Sequence, residues 1–175
     1  MAKQILITGI AGTGKSTICN ELNKLGHKAF GIEDINGLFT ITHKGTNKPF
    51  KNYDNDNLEN VKQSDWICNK KRLQSLIRKN SEGIIFYCGT ASNLDDLLPL
   101  FNKVFLLKTN QNILRERLKA REINEFGRTT EVQKWIFSQK TKWENNLKQK
   151  GVIIIDANRS LRKIAQEIIK RSESL

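Results

Sequence analysis

The chain has 175 residues, of which 38 % are hydrophobic and 27 % charged, with two prolines, three cysteines and a net charge of +12. This balance excludes disordered, collagen-like and disulfide-framework proteins, and neither a membrane span of roughly 20 apolar residues nor a signal peptide ahead of the amphiphilic segment from Lys3 is expected. We therefore expect one domain over residues 1–175 in a reducing cytoplasm, without a membrane partner, whose charge favours an anionic partner such as a nucleotide, a phosphorylated metabolite or nucleic acid.

Short apolar runs alternate with amphipathic stretches along the first half of the chain, which is typical of strands joined by helices. The loop predicted after strand two is polar, rich in Gly and Asn and without a sustained period, and loops of that length are usually functional or mobile. The predicted elements, in chain order, are strand one over 4–7, a helix over 17–25 closed by Gly26, strand two over 28–32, the loop over 33–58, a helix over 58–79 and strand three over 84–88.

The second half repeats this alternation and ends in an amphipathic helix. Its predicted elements are a short helix over 93–100, strand four over 104–107, a helix over 110–123, a break near Phe126 and Gly127, a helix reaching residue 148, strand five over 152–155, and a last helix with Leu161, Ile164, Ala165 and Ile168 on one face. Five strands joined by helices predict an α/β fold, with three layers around a five-stranded parallel sheet and right-handed crossovers.

Residues 9–16 read Gly-Ile-Ala-Gly-Thr-Gly-Lys-Ser and match the pattern G-x-x-x-x-G-K-[ST] between a predicted strand and a predicted helix. The glycine backbone of this pattern wraps a phosphate with its N–H groups inward, and the helix N-terminus adds a positive field. Lys15 is expected to reach the β- and γ-phosphates, and the Ser16 hydroxyl to hold Mg²⁺. The predicted phosphate-binding residues are Gly9, Gly12, Thr13, Gly14, Lys15, Ser16 and Thr17. The alternative is a glycine-rich turn without a ligand, a chance match with a probability on the order of one per cent.

The segment 7–17, followed by a helix ending at Gly26 and a strand ending in acid, resembles the P-loop small-molecule and nucleotide kinases, which include adenylate, shikimate and gluconate kinases. Two further segments carry the resemblance. Residues 114–121 are similar to the helix that leads into the mobile lid of these kinases, and residues 155–158 to the turn that holds adenine. The resemblance implies a P-loop NTPase fold with strand order 2-3-1-4-5, ATP and Mg²⁺ as cofactors, and a lid over residues 121–130.

Glu33 and Asp34 follow strand two at the carboxyl edge of the sheet, where α/β folds bind ligands. A carboxylate at this edge orients or deprotonates an acceptor hydroxyl and holds Mg²⁺ through water. Asp34 is the predicted catalytic acid and water-bridged metal ligand, and Glu33 a predicted acceptor contact; shikimate kinases carry Asp-x-Asp here, whereas this chain has Glu-Asp. A solvated acid pair or a helix cap is the alternative.

Three arginines lie in and before the predicted lid. Arg117 and Arg121 are one helical turn apart, a like-charge pair that costs a few tenths of a kcal/mol unless an anion lies between them. By resemblance, Arg117 and Asn158 contact the base and Arg121 a phosphate, while an ion pair of Arg121 with Glu125 is the alternative. Arg128 is a predicted catalytic residue that meets the transferring phosphoryl group, with a stray surface charge as the alternative.

The resemblance also implies an acceptor-binding insertion over residues 33–66. Trp66, Gly89 and Asn93 are predicted acceptor contacts beside Glu33 and Asp34, although Trp66 has a core alternative. Trp135 and Trp143 are expected in the core.

These residues together predict a phosphotransferase that moves the γ-phosphoryl group of Mg-ATP to a small acceptor, with a nucleoside, nucleotide or similar metabolite favoured, in a monomer or homodimer. Two alternatives stay open. An RNA- or DNA-directed P-loop enzyme or binder is favoured only by the charge of +12. A regulatory ATPase switch is disfavoured because strand three ends in Cys88 and Gly89 without a carboxylate.

Overall fold

A five-stranded parallel sheet forms the centre of the structure, a computed structural model that describes residues 2–174. In chain order the strands are β1 (Lys3–Thr8), β2 (Lys28–Gly31), β3 (Phe39–His43), β4 (Ser64–Cys68), β5 (Ile84–Cys88), β6 (Lys103–Lys108) and β7 (Ile153–Asp156). The sheet has the order β2-β5-β1-β6-β7, all parallel. Because β3 and β4 lie outside it, this order is the 2-3-1-4-5 implied by the resemblance, which is confirmed.

Helices cover both faces of this sheet. They are α1 (Lys15–Lys24), α2 (Leu58–Lys62), α3 (Lys70–Arg78), α4 (Leu94–Leu97), α5 (Gln111–Lys119), α6 (Thr130–Gln149) and α7 (Leu161–Glu173). Side chains of α1 and α7 pack on one face around Ile5, while those of α3, α4 and α6 pack on the other around Leu6. The central strands are therefore apolar on both faces, and the predicted three-layer α/β fold is confirmed.

Residues 33–79 are predicted as a loop followed by one helix. They contain a second, antiparallel sheet and two separate helices, α2 and α3. Strand β3 pairs with β4 from Phe39 opposite Cys68 to His43 opposite Ser64. The prediction of one unbroken helix over 58–79 is wrong, because Asn57 and Asn69 each cap a separate helix with a side-chain oxygen. The intervening residues extend to form β4. We refer to β3 and β4 together as the ribbon.

The connection between α5 and α6, residues 120–129, contains neither helix nor strand. Asn124 and Gly127 have positive φ values of 68° and 88°, which end regular helix. The predicted break near Gly127 is therefore confirmed. None of the helices within residues 2–174 is both long and apolar enough to cross a membrane.

Candidate active site

The glycine-rich loop joins β1 to α1 at the carboxyl edge of the sheet. Gly12 and Gly14 adopt left-handed φ values of 86° and 96°, which L side chains rarely tolerate. At Gly9, a Cβ would stand 2.4 Å from Thr13 Oγ1 and 3.1 Å from the Leu107 carbonyl oxygen. The loop therefore closes tightly on itself, as a backbone cradle for a phosphate requires.

Lys15 lies folded over this loop. Its Nζ donates hydrogen bonds to the carbonyl oxygens of Gly9 at 2.9 Å and Ile10 at 3.3 Å. Burial lowers the pKa of the Lys15 ammonium, and the nearby Glu33 carboxylate opposes this shift. In this structure the ammonium faces only the partial negative charges of two carbonyl oxygens. An anionic ligand would supply a full negative charge in their place.

Ser16 and Thr17 are exposed in the first turn of α1. Hydroxyl oxygens are suitable ligands for Mg²⁺, and among residues 2–174 neither side chain has a hydrogen-bond partner. No group of three His, Cys, Asp or Glu side chains in that range is placed to hold a metal ion. A magnesium ion would therefore be held by Ser16 together with ligand phosphates.

The two predicted acids occupy different surroundings. Glu33 Oε1 accepts a 2.6 Å hydrogen bond from the Thr90 backbone N–H, and the side chain lines a cavity together with Lys15. Asp34 is exposed, and its charge acts on Cys19, which lies three residues after Ser16 on α1. Glu33 is thus the acid at the cavity, whereas Asp34 lies on the α1 side.

The end of β5 has no carboxylate of its own. The Glu33 carboxylate lies next to it, where it accepts the hydrogen bond from Thr90. A hydrogen bond with Cys19 and burial raise the pKa of the Cys88 thiol, so this side chain stays neutral. At Gly89, a Cβ would stand 2.5 Å from Ile32 Cγ1 and 3.2 Å from Glu33 Cγ. Ile32 and Glu33 therefore pack closely against Gly89, and its contact with an acceptor stays a prediction.

A cavity of about 700 Å³ lies next to the loop, bordered by the turn after β2, the ribbon and α6. That volume falls in the range typical of small-molecule sites. All three tryptophans of the chain, Trp66, Trp135 and Trp143, line it. Trp135 and Trp143, which were expected in the core, are half-buried, because they pack on core clusters while also bordering the cavity.

One face of α6 supplies the cavity residues that sequence reasoning missed. Its lining residues are Trp135, Ile136, Gln139, Lys140, Lys142, Trp143 and Asn146. Their spacing of three and four is the signal of a single helical face, and the polar members on that face distinguish it from a core stripe.

Asn93 holds the ribbon against the segment that follows β5. Its side chain accepts a hydrogen bond from the Cys68 N–H and donates one to the Cys68 carbonyl, both at 3.0 Å. Ser92 and Trp66 exchange two further hydrogen bonds of 2.8 Å. Both ends of the Asn93 amide bind β4, and this fixes Trp66 at the cavity wall; the acceptor contact of Asn93 stays a prediction.

Arg117 contacts the loop, whereas Asn158 contacts the residues that follow β6 and β7. Arg117 Nη1 donates to the Gly12 carbonyl oxygen at 3.1 Å. The Asn158 side chain accepts from the Asn110 N–H at 2.8 Å and donates to Asp156 Oδ1 at 2.7 Å. Asn158 thereby joins the turns that follow β6 and β7.

The predicted lid contacts the predicted insertion. Arg121 lines the cavity and donates to the Phe126 carbonyl oxygen. Arg128 does not face the loop: its Nη2 lies 2.5 Å from Asp56 Oδ2. The Asn55 side chain donates to the Asn124 carbonyl oxygen at 2.7 Å. Two polar contacts therefore fasten the insertion to the lid.

The comparisons with known proteins concern the family and the fold of the chain. The family model described as AAA domain matches residues 5–137. An adenylate kinase isoenzyme 6 homolog of Plasmodium falciparum is 31 % identical over 124 residues, which are 67 % of this chain and 64 % of that protein. The chain therefore spans less than two thirds of the length of that relative.

Solved structures share the fold at low sequence identity. Deoxyadenosine kinase from M. mycoides with bound products has a TM-score of 0.55 and 20 % identity, covering 98 % of this chain and 100 % of that one. Shikimate kinase from Bacteroides thetaiotaomicron has a TM-score of 0.60 and 13 % identity, covering 98 % of each chain.

Proposed function

The chain belongs to the family described as AAA domain and has the fold of the P-loop small-molecule kinases, and on this premise we propose that it transfers the γ-phosphoryl group of Mg-ATP to a small acceptor. One observation carries the proposal: Lys15, which follows the phosphate loop, and Glu33, on the 3-10 turn after β2, line the same cavity. A phosphate-binding cation and a candidate base then border one space, as phosphoryl transfer requires.

The donor side follows from the loop. Its backbone N–H groups cradle the phosphates, and Lys15 exchanges the carbonyls of Gly9 and Ile10 for phosphate oxygens. Arg121 adds charge at the phosphates and Arg117 borders the base. Ser16, and Asp34 through water, would hold Mg²⁺, which would neutralise charge that develops on the phosphate oxygens.

The acceptor side rests on Glu33. Its carboxylate, oriented by the Thr90 N–H, takes the proton of an acceptor hydroxyl while that oxygen bonds to the γ-phosphorus. The bond from the γ-phosphorus to the oxygen of ADP breaks at the same time, so no covalent enzyme intermediate forms. A nucleoside or nucleotide acceptor is supported by the names of an adenylate kinase homolog and a deoxyadenosine kinase among the similar proteins.

A panel of nucleosides, nucleotides and sugars with labelled ATP tests the reaction class. We expect phosphorylated product with some acceptors and little ATP hydrolysis without one, because a water molecule lacks the binding contacts that position an acceptor. Turnover of ATP at one rate with every acceptor and with none would reject the kinase and favour a regulatory ATPase.

We further propose that residues 121–130 close over bound ATP. Arg117 and Arg121 repel each other without an anion, whereas Asp56 neutralises Arg128, and ATP supplies compensating negative charge. On closure Arg128 exchanges Asp56 for the transferring phosphoryl group. Amide hydrogen exchange in residues 121–130 is expected to slow markedly when a non-hydrolysable ATP analogue is added.

The exchange experiment has an internal control in α7, which packs behind the sheet and lies far from the lid in sequence. Its protection should not change. Equal exchange in residues 121–130 with and without the analogue, in a sample shown to be saturated, would make this segment an ordinary rigid surface.

A further inference from the structure

The aromatic lining of the cavity indicates the shape of its occupant. All three tryptophans of the chain border this one space. Trp66 is held by stacking on Phe39, with ring centroids 4.9 Å apart and an interplanar angle of 21°. Indole faces favour flat ring systems, so the walls suit an acceptor that contains an aromatic ring.

The cations of the cavity differ in what neutralises them. Lys15 and Arg121 lie at the phosphate loop and the lid, where donor phosphates would bind. Lys140 Nζ is 2.7 Å from Glu144 Oε1, and these side chains are 11 % and 4 % exposed, so a nearly buried carboxylate already neutralises this lysine. Lys142 has no ion pair or hydrogen bond with any residue from 2 to 174, and it lines the same cavity.

Lys142 is an exposed residue of α6 at the wall of the cavity. Ile136 of α6 belongs to the apolar cluster that includes Ile10 of the loop. Lys142 is six residues further along α6, about 9 Å at the rise of an α-helix. An acceptor that reaches both Glu33 and Lys142 must therefore carry two functional groups, one for each side chain.

We propose that the acceptor is an aromatic acid: a ring compound whose phosphorylated group faces Glu33 and whose second group, a carboxylate or phosphate, pairs with Lys142. The orientation rests on the proposed function, because it assigns the Glu33 end to phosphoryl transfer. The pairing with Lys142 rests on the lining and the charges alone.

Intrinsic tryptophan fluorescence tests this pairing without ATP, because every tryptophan of the chain borders the cavity. The probes are two pairs that differ by an acidic group: uridine with orotidine, and adenosine with adenosine 3′-monophosphate. The first pair adds a carboxylate and the second a phosphate. We expect at least one of the two acids to quench the tryptophan fluorescence with a Kd about three- to tenfold below that of its neutral partner. We also expect this preference for the acid to weaken with added salt.

Variants on α6 locate the effect. Lys142→Gln should remove the preference, and Lys142→Arg should keep it. Lys134→Gln, which removes an exposed lysine of the same helix outside the cavity, should leave it unchanged. An equal preference in Lys142→Gln, no preference in the wild type, or no quenching by either acid would overturn the proposal.

The two proposals fail separately. Acid-selective quenching without phosphorylation of the acid in the labelled-ATP assay would keep the Lys142 site and reject phosphoryl transfer to that compound. Phosphorylation of acceptors without any dependence on Lys142 would keep the kinase and reject the acid site.

Discussion

Lys15→Ala is expected to abolish the thermal stabilisation of the protein by ATP. At an ATP concentration about 100 times the Kd, binding contributes about 2.7 kcal/mol to stability, which corresponds to an increase in Tm of about 5–10 °C for a chain of this size. The loss follows because the substitution removes the ammonium that is proposed to contact the β- and γ-phosphates. Differential scanning fluorimetry with and without Mg-ATP measures both Tm values.

The variant that controls this experiment is Lys24→Ala, which removes an exposed lysine in the last turn of the same helix. It should keep the full ATP-dependent shift. Lys15→Met, which keeps most of the side-chain length, should lose the shift like the alanine variant. An unchanged shift in either Lys15 variant would contradict the assignment of the phosphate site to residues 9–16.

Glu33→Gln is expected to reduce turnover by about 10²- to 10⁴-fold, the usual contribution of a general base. The amide oxygen still accepts the hydrogen bond from the Thr90 N–H, so the side chain keeps its anchor while it loses the ability to take a proton. The Kd of ATP should remain nearly unchanged. Steady-state kinetics together with ATP titration separates the two quantities.

Asp34→Asn provides the comparison. We expect it to lower turnover with nearly intact ATP binding and to raise the Mg²⁺ concentration at half-maximal rate, because Asp34 is proposed to hold the metal through water. Glu33→Gln should not change that concentration. If Asp34→Asn lost ATP affinity and turnover equally, Asp34 would be a structural acid, and if Glu33→Gln kept full turnover, Glu33 would not be the base.

The sheet and the phosphate loop could be predicted because their signals are local. Strands that are buried on both faces have continuous apolar sequences, and the sequence pattern of residues 9–16 is specific for one backbone conformation. The ribbon could not be predicted in the same way. Val61, Cys68 and Leu73 also fit a helical spacing, and only the pairing of β4 with β3 makes residues 64–68 extended.

The proposed division of roles between Glu33 and Asp34 depends on contacts that are remote in sequence. Both residues lie on one short 3-10 turn, and the choice between them is made by the Thr90 N–H, 57 residues away. The same holds for Trp135 and Trp143, whose spacing fits a core face. Whether such a face meets core or cavity depends on what packs opposite α6, and no local pattern contains that information.

The contacts between the insertion and the lid restrict which segments can be exchanged between related kinases in order to change the preference for an acceptor. Each of the two contacts joins one residue of the insertion to one residue of the lid. They are the ion pair of Asp56 with Arg128 and the hydrogen bond from Asn55 to Asn124. A chimera that received a foreign insertion alone would leave Arg128, whose Nε is already buried without a partner in the described residues, with no carboxylate at all. Residues 53–57 and 120–129 therefore have to be exchanged together. In evolution and in protein engineering, the two loops act as one unit.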